Sequence, residues 1–192
     1  MAKLHFYYSA MNAGKTTILL QSNYNYQERG MNTALYTPKV DNRVQEGLIA
    51  SRIGLQADAV PFDQDFNIFE DVKEKNIKNK IHCVFVDESQ FLNKKQVEQL
   101  TDIVDLLNIP VLTYGLRSDF MGQPFEGSLY LMTWAEELSE IKTICHCGSK
   151  ASMVLRLDST GQPIFEGDQV AIGGNESYLS VCRKHYKQKQ TS

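Results

Sequence analysis

Apolar and polar positions along the first forty residues follow a strand, helix, strand rhythm. Leu4-His5-Phe6-Tyr7-Tyr8 is β-favouring, Ser9 to Gly14 is small and turn-like, and Lys15 to Arg29 holds good helix formers and no proline. Gly30 stands where a helix C-terminus calls for a residue tolerant of positive φ. Thr33-Ala34-Leu35-Tyr36-Thr37 reads as the next strand, stopped by Pro38. This βαβ order predicts an open, largely parallel sheet.

Residues 38 to 67 are polar with little periodicity, a length of about 30 residues that in a compact domain is functional or mobile. Ile68 to Lys80 reads as a charged helix, and His82-Cys83-Val84-Phe85-Val86 as a buried strand in which Cys83 is a core residue. Asn93 can cap a helix with Gln96 three positions on, and Val97, Leu100, Val104 and Leu107 then mark its inner face. Ile109 to Tyr114 is another strand, and the alternation ends near Trp134.

From Ile144 the character changes. Cys145-His146-Cys147-Gly148 precedes a β-like run Met153 to Leu157, the turn Ser159 to Pro163 and a second β-like run. The chain is therefore expected to divide into a larger α/β core, residues 1–143, and a small module, residues 144–192, with a polar, frayed tail from Lys187.

Composition narrows the class. The 192 residues are 42% hydrophobic and 22% charged, ordinary for a globular chain able to bury a core, and no apolar run is long enough to span a membrane. Formal net charge is −3, so bulk charge points away from nucleic acid and anionic lipid and toward a small ligand. The opening Met-Ala-Lys-Leu-His-Phe-Tyr-Tyr does not read as a secretory signal, which leads us to expect a cytoplasmic, reducing setting where lasting disulfides are rare.

Two constellations carry chemistry. Ser9-Ala10-Met11-Asn12-Ala13-Gly14-Lys15-Thr16 fits the phosphate-binding loop G-x-x-x-x-G-K-[ST] with Ser9 in place of the leading glycine. Small residues let successive amides converge on phosphate oxygens, and the helix N-terminus behind them favours an anion. Lys15 supplies a charge for the β- and γ-phosphates, and the Thr16 hydroxyl suits Mg²⁺. The strand Val84-Phe85-Val86 ends in Asp87, from where a carboxylate reaches a hydrated Mg²⁺; Glu88 beside it can activate either water or an acceptor hydroxyl.

The second constellation is Cys145, Cys147, Cys182 and His185, two close pairs separated by the hairpin. A closed set of four soft or borderline ligands suits structural Zn²⁺. His146 remains an alternative ligand, a labile disulfide an alternative chemistry, and His5 and His82 read as structural.

These runs appear in order with Asp87-Glu88-Ser89-Gln90-Phe91, Tyr114-Gly115-Leu116-Arg117-Ser118-Asp119-Phe120 and Gly173-Gly174-Asn175-Glu176-Ser177-Tyr178. Together they resemble a bacterial type II thymidine kinase over essentially the whole chain. The resemblance implies an α/β fold, a RecA-like phosphate-loop core with a mostly parallel sheet, followed by a zinc-binding lasso domain that closes over the nucleoside. It implies transfer of the ATP γ-phosphate to the 5′-hydroxyl of thymidine with Mg²⁺, with Glu88 as proton acceptor and Asp87 to Gln90 joining the ATP site. Phe120, Tyr178 and the backbone of Gln169, Val170, Ala171, Ile172 and Gly173 would line the thymine pocket. Met11, Leu116, Phe91 and Phe125 would pack around the base, and Asp41 and Arg43 would lie near the phosphates. A homotetramer and feedback inhibition by thymidine triphosphate are implied in the same way.

Two other classes compete. A zinc-containing ATPase acting on nucleic acid needs several phosphate-neutralising side chains, whereas the module offers one cluster, Arg183-Lys184-His185. A non-catalytic nucleotide-binding module has no need of the Asp87-Glu88 pair.

Overall fold

The computed structural model describes residues 1–40, 45–169 and 177–192. Strand β1 (Leu4–Ser9) leads through the phosphate-loop segment into helix α1 (Lys15–Glu28), which ends where Gly30 takes φ +72°, and β2 (Thr33–Pro38) follows. The irregular stretch contains three short strands, β3 (Leu48–Ala50), β4 (Gln56–Asp58) and β5 (Val60–Phe62). Then come α2 (Ile68–Lys78), β6 (Cys83–Val86), a 3₁₀ turn (Ser89–Phe91), α3 (Lys94–Leu107), β7 (Val111–Leu116), α4 (Glu126–Trp134) and β8 (Glu137–Glu140).

Six strands form one sheet in the order β5-β2-β6-β7-β1-β8, with every neighbouring pair parallel. Alternate residues of each strand serve opposite faces. Tyr36, Val84 and Val86 join α2, α3 and α4 in one core through Ile68, Val72, Val97, Leu100, Ile103 and Leu131. Leu35, Cys83 and Phe85 face a second core with Leu19 and Leu20 of α1 and Ile49 of β3. The α/β architecture and the buried Cys83 are as expected. The Asn93 cap is also present: its side chain accepts from Gln96 N at 2.9 Å while Gln96 Oε1 accepts from Asn93 N at 3.1 Å.

Two expectations need correction. Residues 45–62 are not irregular: β3 and β4 pair as an antiparallel hairpin, and β5 extends the main sheet beside β2. The alternation also continues past Trp134, because β8 adds the outermost strand beside β1. Both outer strands are short, one contains Pro61 and the other is polar, and such edge segments carry no apolar periodicity to read.

The C-terminal module has its own small sheets: β9 (Thr143–Ile144) with β10 (Lys150–Ala151), and β11 (Met153–Leu157) between β12 (Pro163–Ile164) and β13 (Tyr178–Val181). The anticipated hairpin is there, its turn held by Asp158 Oδ1 accepting from Thr160 N at 2.8 Å and Gln162 N at 2.9 Å. Helix α5 (Arg183–Gln188) takes in the start of the segment expected to fray. Cys145, Ala151, Leu155 and Val181 are the module's buried centre, a small core for a unit of this size.

Candidate active site and metal centre

The phosphate loop leaves β1 at buried Ser9 and turns through Asn12 (φ +62°) and Gly14 (φ +86°) into α1. Gly14 caps the helix without a side-chain hydrogen bond, so the first-turn amides are not satisfied by a cap and suit an anion. Lys15 is buried along the loop, its Nζ donating to Ser9 Oγ at 3.0 Å and to the Ala10 carbonyl at 3.4 Å. Ser9 thus supplies a hydroxyl that the glycine of the common motif lacks.

Thr16 Oγ1 donates to Asp87 Oδ2 at 3.1 Å, which joins the loop to the end of β6. Asp87 and Glu88 are both buried. Burial, and after it the charge of Glu88, push the Asp87 carboxyl up to about 7, while Lys15 and the Thr16 hydroxyl pull it down. Glu88 adopts φ +45°, a left-handed conformation uncommon for a side chain of its size, and its N–H donates to Asp87 Oδ1 at 3.0 Å. Gln90 Nε2 donates to Glu88 Oε2 at 2.6 Å, and Gln90 Oε1 accepts from Leu116 N at 3.0 Å. A carboxylate therefore stands, oriented, between the phosphate loop and the end of β7. Beside it, the buried Ser89 Oγ has no hydrogen-bond partner among the described residues.

A largely apolar wall continues from there. Phe91 and Phe125 meet edge-on with centroids 6.1 Å apart, and Leu116 closes β7 with its carbonyl accepting from Ser128 Oγ at 2.5 Å. Phe120 is buried, with the Arg156 guanidinium 5.1 Å from its ring centre and its carbonyl accepting from Tyr186 Oη at 2.8 Å. Tyr178 pairs with Arg156 across β13 and β11. Ser180 on the same strand donates to the Met11 carbonyl at 2.6 Å, fastening the module to the phosphate loop. Gln169 Nε2 donates to Asp119 Oδ2 at 2.8 Å. Of the remaining expected site residues, Asp41, Arg43, Val170, Ala171, Ile172 and Gly173 lie outside the described residues.

Several residues here were missed by sequence reasoning. Asp119 collects Met121 N at 2.9 Å and Gln123 N at 2.8 Å on its other oxygen, a local turn signature that Asp followed by Gly122 could have suggested. Ser180, Tyr186 and Arg156 act across long chain separations, and no local pattern announces them.

In the module, the ligand atoms of Cys145, Cys147, Cys182 and His185 all lie within 4.8 Å of one another. Tetrahedral zinc with bonds of about 2.3 Å sets sulfurs about 3.8 Å apart, so the cluster fits that ion. Gly148 at φ +80° turns the chain so that its N–H donates to the Cys145 carbonyl at 2.8 Å, which presents both thiols of the tight Cys-x-Cys pair to one point. His146 stacks on His185 with centroids 4.3 Å apart and flanks the four. All four cysteines of the chain are free thiols.

The model of the family described as thymidine kinase matches residues 2–186. The chain belongs to the thymidine kinase family. This member is 61% identical over 188 residues to a protein named thymidine kinase from Aliivibrio fischeri, covering 98% of both chains. It is 61% identical over 187 residues to one of the same name from Salmonella typhimurium, covering 97% of this chain and 91% of the relative. To one from Colwellia psychrerythraea it is 59% identical over 188 residues, covering 98% of both chains.

Proposed function

We propose that the chain transfers the γ-phosphate of ATP to the 5′-hydroxyl of thymidine, giving thymidine monophosphate and ADP. The observation that carries the reading is Glu88, buried beside the phosphate loop and aimed by Gln90 at 2.6 Å, within the family-matched span. The phosphate-loop amides and Lys15 hold the triphosphate. Thr16 and Asp87, two hard oxygen donors side by side, would hold Mg²⁺, which when bound spreads charge over the β- and γ-phosphates. Glu88 accepts the proton of the 5′-hydroxyl as that oxygen forms its bond to the γ-phosphorus and the bond to ADP breaks. Asp41 and Arg43 join the phosphate site by the resemblance.

Met11, Leu116, Phe91, Phe120, Phe125 and Tyr178 would enclose the base, with the backbone of residues 169–173 reading its polar edge. Residues 144–192 act as a lasso domain over residues 1–143, held by the zinc ligands Cys145, Cys147, Cys182 and His185. The contacts from Ser180 to Met11 and from Tyr186 to Phe120 support that closure. Closure excludes water, which otherwise competes with the sugar hydroxyl. A cytoplasmic homotetramer inhibited by thymidine triphosphate belongs to the same proposal as a family expectation. Among the described residues no helix is long and apolar enough to cross a membrane.

The test is a panel of nucleosides incubated with γ-labelled ATP and the purified chain. Label should pass to thymidine and not to purine nucleosides. Hydrolysis stimulated by nucleic acid, with no labelled pyrimidine nucleotide, would favour the ATPase reading instead.

A further inference from the structure

The hairpin β3–β4 takes no part in the roles above, yet it reaches the phosphate loop. Ile49 on β3, 2% exposed, sits in the core that contains Leu19 and Leu20 of α1, which roots the hairpin beside the helix that the loop begins. Its tip is closed by Ser51 N donating to the Leu55 carbonyl at 2.8 Å and Leu55 N donating to Ser51 Oγ at 3.0 Å, with Gly54 at φ +90°. That turn presents Arg52, whose Nη2 donates to Asn12 Oδ1 at 2.5 Å. Asn12 is the middle of the loop Ser9 to Thr16 and is itself left-handed.

A guanidinium resting on a neutral amide oxygen at an exposed site gains little over its hydrated state. The same fork gains more from phosphate oxygens, which it can engage through two parallel hydrogen bonds. The two loop cations are also spaced apart: Lys15 contacts Ser9 and Ala10 at the loop's start, and Arg52 contacts its middle. A triphosphate arriving beside the buried acids Asp87 and Glu88 needs positive charge at both places.

We infer that Arg52 is a further phosphate-binding residue, exchanging the Asn12 amide for β- or γ-phosphate oxygens when the triphosphate binds. It supplies, from within the same chain, a cation against the charge of the transferring phosphoryl group. This rests on the kinase reading for its consequence but not for its first observable, which is nucleotide binding. The hairpin thereby holds a cation over the loop before the nucleotide arrives.

Full-length R52Q and R52K proteins, titrated with a fluorescent ATP analogue and separately with thymidine, test the assignment. R52Q is expected to weaken triphosphate binding about 10-fold or more and to lower kcat/KM for ATP by at least as much. Thymidine affinity and the unfolding midpoint should stay unchanged, and R52K should recover part of the loss. Wild-type ATP affinity and kcat/KM in R52Q would overturn the inference. Equal losses of ATP affinity, thymidine affinity and melting temperature would also overturn it, because they mark a structural clasp. Should the wild-type chain bind ATP yet phosphorylate no nucleoside, the kinase reading fails while the ATP titration still decides Arg52.

Discussion

Gln90 holds Glu88 by a 2.6 Å hydrogen bond from its amide nitrogen, and the other end of the same amide is gripped by Leu116 N. The carboxylate is thus oriented by a side chain whose own flip state is set by the backbone of the neighbouring strand. Glu88→Gln is expected to lower kcat about 100-fold or more while ATP binding persists. Gln90→Ala should lower kcat about 10-fold with little change in KM for ATP, since it removes orientation and leaves the carboxylate. Steady-state kinetics with direct nucleotide titration checks both.

The 3₁₀ turn that carries these residues rests on the start of α4 at Gly127. A Cβ there would stand 2.4 Å from the Ser89 carbonyl oxygen, 2.8 Å from that of Leu92 and 3.0 Å from that of Gln90, all backbone atoms with no rotamer to yield. Gly127→Ala should therefore cost about 1–3 kcal/mol, as overpacking does, and should also depress kcat by displacing Glu88. Urea unfolding measured beside turnover gives the comparison. An unchanged midpoint would mean that helix and turn separate without cost.

Metal analysis should find about one zinc per chain, lost together with the module's fold in Cys182→Ala or on chelation. The module's centre, Cys145, Ala151, Leu155 and Val181, is too small to replace the ion. Because Ser180 and Tyr186 reach the phosphate loop and Phe120 from this module, the expected kinetic mark is a large rise in KM for thymidine with a smaller change in ATP affinity.

Where structure follows from neighbours in sequence, the reading from sequence succeeded. Val84-Phe85-Val86 is buried on both faces and apolar throughout, and Asn93 with Gln96 is a complete cap within four positions. The clustering of Cys145, Cys147, Cys182 and His185 was legible because soft ligands at tight spacing have few other uses. Pairing at a distance was not legible: β5 and β8 join the sheet through backbone hydrogen bonds, which do not depend on side-chain type (Pro61 can only accept), so Val60-Pro61-Phe62 and Glu137-Leu138-Ser139-Glu140 show no signal. For the same reason the partners of Met11 and Asn12 emerge only when Ser180 and Arg52 are brought beside them.

His5 offers a pH test on β1. Burial lowers its pKa from the ordinary value near 6.5, more than the charge of Glu137 raises it. The unfolded chain therefore binds a proton at this position at higher pH than the folded one. The His5 contribution is fully present above pH 6.5 and is lost as pH falls through that value toward the folded pKa. Urea midpoints of wild type and His5→Gln, taken near neutral and again about two pH units lower, should show the wild-type advantage narrowing on acidification. A gap that widens instead would reverse the assignment.

The hydrogen bond from Ser180 to the Met11 carbonyl links residues 169 positions apart, and it joins the loop Ser9 to Thr16 to β13. On the proposed reading, with the triphosphate on that loop and the base beside that strand, a reactant that stiffens this point lowers the ordering cost met by the other. Thermodynamic reciprocity then requires equal reinforcement in both directions, however the reactants enter.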